Sequence, residues 1–150
     1  MAQLDPQKEY ELQVREPKKK RSLDANSYYW SLLHRYAEWA RRSDVYMHNE
    51  ILAHYGQPEE IDGKPVYVVM IDTDAYKELE YIHLRATSDV RLGDDLRTYR
   101  TYRVMRGSKT YDTKEFSRLV DGLIQEIVGS EAPIETMTPA ELAVLKGYAA

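Results

Sequence analysis

The chain has no cysteine in its 150 residues. Disulfides, thiolate metal sites and Cys nucleophiles are therefore excluded, which suits a reducing compartment. Nothing in it approaches the roughly 18 apolar residues of a membrane span. Met1-Ala2-Gln3-Leu4-Asp5-Pro6 lacks the apolar core of a secretory leader. A soluble, cytoplasmic protein is the expectation. No G-x-x-x-x-G-K-[ST], G-x-G-x-x-G or G-x-S-x-G occurs, so phosphate loops and a nucleophile elbow are missing. His34, His48, His54 and His83 form neither H-E-x-x-H nor a zinc spacing, and read as structural or surface residues. No cofactor and no metal ligand is expected. Phenylalanine occurs once, against 13 tyrosines. Tyr pairs an apolar body with a polar tip, which suits half-buried strands, core edges and base stacking.

A composition that is 43% hydrophobic over this length supports one core and one domain. Residues 1–7 and 147–150 are expected to be loose ends. The net charge of −4 hides a strong asymmetry. Residues 15–21 hold five cations and one anion. Residues 85–109 hold seven cations against three anions, whereas residues 44–80 hold nine carboxylates and two lysines.

Alternation of Tyr10, Leu12 and Val14 with Glu9, Glu11, Gln13 and Arg15 predicts a half-buried strand over 8–16, ended by Pro17. Helical spacing of Ala25, Tyr29, Leu32, Leu33, Tyr36, Ala37 and Ala40 predicts a helix over 24–41, capped by Ser22 or Asp24. A second helix over 44–55 has Ser43 as its cap and Gly56 as its stop. Val66–Ile71 is a strand, followed by a turn or short helix from Asp72. Residues 81–86 stay open between strand and loop. Gly93-Asp94-Asp95 marks a hairpin turn into a strand over 96–106. Asp112 and Glu115 form a capping box for a helix over 113–128, closed by Gly129. Thr138-Pro139-Ala140-Glu141 opens a last short helix. The resulting fold class is α+β, a small antiparallel sheet packed with three to four helices.

Two segments point to chemistry. Lys18, Lys19, Lys20 and Arg21 run directly into the first helix and its Tyr28-Tyr29-Trp30. The cations can neutralise phosphates, and Trp30 is either a core residue or a stacking platform. The strand Leu96–Arg106 carries Arg97, Arg100, Arg103 and Arg106 at intervals of three, with Tyr99 and Tyr102 between them and Lys109 beyond. Since a strand alternates with period two, Arg falls on both faces, and at least one face should meet solvent or an anion. This is the pattern of a groove that tracks a nucleic-acid backbone and stacks its bases. The bland account is cross-strand pairing with Asp and Glu.

Arg21-Ser22-Leu23-Asp24-Ala25-Asn26, followed by Trp30, resembles the NinB family, also called Orf, of phage recombination proteins. That family has Arg-Ser-Leu-Asp-x-Asn-x-x-x-Trp entered from a strand, here Tyr10–Glu16. The turn Gly107-Ser108-Lys109-Thr110 before the 113–128 helix is similar to a second family feature, and residues 131–145 resemble its closing helix. The likeness covers roughly residues 10–30 and 103–145. The chain lacks the extra N-terminal strand and helix of longer members. The resemblance implies a small α+β homodimer in the bacterial host cytoplasm that binds single-stranded DNA. It would assist loading of a recombinase or annealing protein and act through single-strand-binding protein, without catalysis. Two other readings stand beside it. One is a metal-dependent nuclease using Asp72, Asp74, Glu78 or Asp94. The other is an adaptor or inhibitor that presents the acidic 44–80 surface to a protein partner.

Overall fold

The computed structural model describes residues 23–146. The predicted strand at 8–16, the cations Lys18, Lys19, Lys20 and Arg21, the cap at Ser22 and both chain ends lie outside the described residues. The fold is α+β, with four helices and two small antiparallel sheets among those residues.

Helix α1, Leu23–Ala40, buries Ala25, Tyr29, Leu32, Leu33, Tyr36 and Ala37, the stripe its periodicity predicts. Asp24 sits inside the first turn, where its charge suits the helix dipole. Helix α2, Asp44–Tyr55, begins where the Ser43 hydroxyl accepts from the Tyr46 amide at 3.0 Å. It ends at Gly56, in extended rather than left-handed backbone. Glycine is needed there for space, since a Cβ would lie 2.5 Å from the Leu52 carbonyl oxygen and 2.8 Å from the Tyr111 hydroxyl.

Helix α3, Thr113–Gly129, starts with the reciprocal Asp112–Glu115 capping box. It runs through Gly129 instead of stopping there, and the left-handed residue that turns the chain is Glu131, φ 60°. Phe116, Leu119, Val120, Leu123 and Ile127 meet the α1 and α2 stripes in one core. Losing any of these large side chains would cost about 2–5 kcal/mol. Helix α4, Pro139–Leu145, has its own capping box from Thr138 and Glu141. Leu142 and Leu145 lean on the core, and Lys146 pairs with Asp121 of α3.

The smaller sheet is a hairpin of β1, Glu60–Ile61, and β2, Lys64–Pro65. Its turn residues Asp62 and Gly63 both have positive φ, the geometry a two-residue hairpin loop favours. The larger sheet orders β3, Tyr67–Ile71; β5, Thr98–Met105; and β4, His83–Leu92, with β5 in the centre. The ambiguous 81–86 segment is thus the start of a ten-residue strand. A bulge interrupts the β4–β5 ladder between Ala86 and Val90. The Thr87 hydroxyl spans it by donating to the Thr101 carbonyl at 2.7 Å. A 3₁₀ turn at Asp74–Glu78 follows β3, capped by Thr73, and lays Tyr76 against Tyr102 with ring centroids 4.7 Å apart.

Candidate nucleic-acid interface

Cross-strand register fixes which side chains share a face. Ile71, Tyr99 and Arg91 lie in one row, Val69 and Thr101 in the next, then Tyr67, Arg103 and Arg85, then Met105 and His83. Tyr67, Val69 and Ile71 are exposed along β3. The beginning of β4 on this face abuts α2, because His83 Nδ1 bonds Asn49 Oδ1 at 2.7 Å and the Arg85 guanidinium reaches the Ala53 carbonyl at 3.5 Å. Beyond the bulge, the hairpin from Ser88 to Thr98 is largely exposed.

The predicted cations divide sharply. Arg100 is a structural clasp on the opposite face. Its Nε donates to Asp72 at 2.8 Å and its Nη1 to the Thr87 carbonyl at 2.5 Å. The hydrogen bond from Arg100 holds the Asp72 carboxyl below the usual carboxylate range. Arg106 lies over the Tyr111 ring and donates to Glu115 at 3.0 Å and to the Thr110 carbonyl at 3.1 Å. Tyr102 is 0% exposed beneath Tyr76 and offers no face to a base. Sequence periodicity cannot see that lid, because the 3₁₀ turn supplying it lies 26 residues upstream.

Arg91, Arg97 and Lys109 remain exposed. Arg91 bonds Asp89 at 3.3 Å with 79% of its side chain accessible, and Arg97 stands 3.9 Å from Asp95. Tyr99 donates its hydroxyl to Asp95 at 2.6 Å, which raises the phenol pKa and lowers that of the carboxyl.

Arg103 is the unusual member. Only 15% of its side chain is exposed, and its buried Nε has no hydrogen-bond partner among the described residues. Nη2 reaches the Glu59 carbonyl at 3.5 Å and the exposed Glu60 carboxylate at 3.9 Å. The guanidinium lies 5.7 Å from the Tyr67 ring centroid. Directly across the ladder stands another cation, Arg85. Like charges in opposed positions destabilise a sheet, and an unsatisfied buried donor adds to the cost. An anion docking on the accessible side of this pair would offset its excess positive charge.

Comparison with family models, curated proteins and solved structures finds no match to the chain.

Trp30 lies between the two readings given for it, at 38% exposure. Its ring packs on His48 at 4.4 Å, and His48 meets His83 edge-on at 5.9 Å. The first helix and the β4–β5 ladder are therefore joined by a run of ring contacts. His48 is held neutral, with burial as the main cause and His83 as the second, at a pKa of about 3. Its Nδ1 shares a 2.8 Å hydrogen bond with the Tyr29 hydroxyl, whose pKa burial pushes up.

The carboxylates of the nuclease reading are dispersed. Asp72 is clasped by Arg100, and Glu78 accepts from the Ser43 hydroxyl at 2.7 Å. Among the described residues, no three His, Cys, Asp or Glu side chains are grouped to hold a metal ion. No described helix is long and apolar enough to cross a membrane.

Proposed function

We propose that the chain binds single-stranded DNA across the face formed by Tyr67, Arg103, Arg85, Tyr99 and Arg91. The carrying observation is the cross-strand register that sets Arg85 and Arg103 in one row beside the exposed ring of Tyr67. A phosphate is the anion that a nucleic-acid backbone repeats at regular intervals, and Tyr67 and Tyr99 set ring surfaces beside it. Arg97 and Lys109 extend the positive potential at the two ends of β5. Lys18, Lys19, Lys20 and Arg21 would add contacts of the same kind just before α1. Arg100 and Arg106 are assigned to holding the sheet.

The resemblance to NinB proteins supports the choice of a single strand over a duplex. It also supports a role in loading a recombinase or annealing protein, and a homodimer.

Fluorescence anisotropy of labelled single- and double-stranded oligonucleotides against salt tests the reading. Single strands should bind more tightly, with affinity falling steeply as salt rises. Arg85→Ala and Arg91→Ala should each flatten the slope of log K against log salt by about 0.7, the loss of one single-strand phosphate contact. Absence of binding at low salt would remove the reading and favour the protein-adaptor alternative. Glu60 and Asp62 on the exposed β1–β2 hairpin would then be the first residues to mutate.

A further inference from the structure

A cleft of about 330 Å³ opens where β4 begins and β5 ends, at the small end of the range for ligand pockets. Tyr81, Ile82, His83, Glu59, Val104 and Gly107 line it. The tautomer of His83 is fixed from behind. The Asn49 side-chain nitrogen donates to the Lys77 and Leu79 carbonyls at 2.9 and 2.8 Å, so the Asn49 oxygen faces the imidazole. Nδ1 must then carry the proton, and Nε2 presents a lone pair. Nε2 is directed toward Gly107, where a Cβ would stand 3.5 Å away. It has no hydrogen-bond partner among the described residues, and burial keeps the ring neutral by lowering its pKa. The Glu59 carboxylate is likewise without a side-chain partner. Arg106, also on the lining, is spent on Glu115 and Thr110. The lining side-chain groups left without a partner among the described residues, His83 Nε2 and the Glu59 carboxylate, are thus acceptors, and Ile82 and Val104 add apolar lining. Tyr81, 96% exposed, stands at the mouth with a bare ring.

Two acceptors beside apolar lining, with an aromatic ring alongside, suit a flat heterocycle that donates through an amino group. His83 and Met105 lie two residues along the same sheet face from Arg85 and Arg103, about 7 Å away. That is a distance over which a strand's phosphate and its own base can be held together. We infer that the cleft receives one unpaired, amino-bearing base (adenine, cytosine or guanine) of a strand whose phosphate rests on Arg85 and Arg103. The exocyclic amino group donates to Glu59 and His83 Nε2, and Tyr81 stacks on the ring. Thymine, which sets a carbonyl at C4 where cytosine carries its amino group, meets the two acceptors with an acceptor of its own. This inference rests on the single-strand reading above.

Anisotropy with labelled oligo(dC) and oligo(dT) of equal length, at one salt concentration, tests it. Wild type should prefer oligo(dC) by about tenfold, the discrimination expected of one well-made base contact. Glu59→Gln, which replaces the carboxylate with an amide that also donates, should bring the ratio close to one without changing the salt slope. Tyr81→Ala should weaken oligo(dC) binding and leave the melting temperature unchanged, since the ring is solvent-exposed. Equal wild-type affinity for the two strands, or a preference that survives Glu59→Gln, would overturn the cleft assignment while leaving backbone binding intact. Failure of both strands to bind at low salt would overturn the underlying reading and this one with it.

Discussion

At the residue scale, His48 shows how burial turns a titratable group into a stability term. Its folded pKa of about 3 lies far below the ordinary 6.5. Between those values the unfolded chain binds a proton that the folded chain refuses, so stability falls as pH drops through 6.5. At pH 5 the loss from this group relative to neutral pH is about 2 kcal/mol. Urea titrations at pH 7.5 and 5 should show it, and His48→Gln should reduce the difference between them. Arg100 makes the second residue-scale prediction. Arg100→Ala strips donors from Asp72 and from the Thr87 carbonyl at the bulge, and should destabilise by about 1–3 kcal/mol. Arg91→Ala, fully on the surface, should leave the melting temperature unchanged while weakening DNA binding. A matched loss of affinity without loss of stability in Arg100→Ala would move that residue back into the interface.

At the scale of elements, local chemistry made the helices legible. Ser43 before α2, Asp112 with Glu115 before α3 and Thr138-Pro139 before α4 each supply the acceptors that free N–H groups need, and each element begins where those residues stand. The strands were harder to read. The far half of β4 is exposed on both faces, so no apolar alternation marks it. On β5, Arg and Tyr occupy both faces, and only the register with β3 and β4 separates the clasps from the open cations. The assignment of Tyr102 as a stacking residue failed for this reason, while Tyr99 stayed accessible. The His83–Asn49 pairing joins residues 34 apart, beyond any local pattern. Helix packing yields a sharper test. A Cβ at Gly122 would fall 2.2 Å from the Tyr55 ring, so α2 and α3 approach at a point only glycine permits. Gly122→Ala should lower the melting temperature by several degrees despite its better helix propensity, and Tyr55→Ala in the same chain should recover part of the loss.

At the scale of the whole molecule, the charge asymmetry read from sequence becomes two differently used regions. The acidic stretch 44–80 is partly consumed internally, with Asp44 against His34, Glu50 against Lys77 and Asp72 against Arg100. The cations of the β4–β5 hairpin are partnered mainly by neighbours within that hairpin, at Asp89 and Asp95, in exposed pairs of small energetic weight. Such pairs exchange partners readily when a polyanion arrives. The ring contacts from Trp30 through His48 to His83 tie α1 to this same region. In a Trp39→Phe variant, the remaining Trp30 emission should change on adding oligo(dC). A flat titration in the presence of demonstrated binding would separate α1 from the interface.

The cross-strand register of Arg85 and Arg103 also bears on how the protein behaves outside any binding assay. An anion that docks on this pair needs the folded sheet to present it, so its occupancy and folding would be thermodynamically linked. A ligand at 100 times its dissociation constant would add about 2.7 kcal/mol to the native state. Material purified at low salt should therefore carry bound polyanion, visible as excess absorbance at 260 nm. A high-salt or nuclease wash that removes it should leave a protein that melts several degrees earlier.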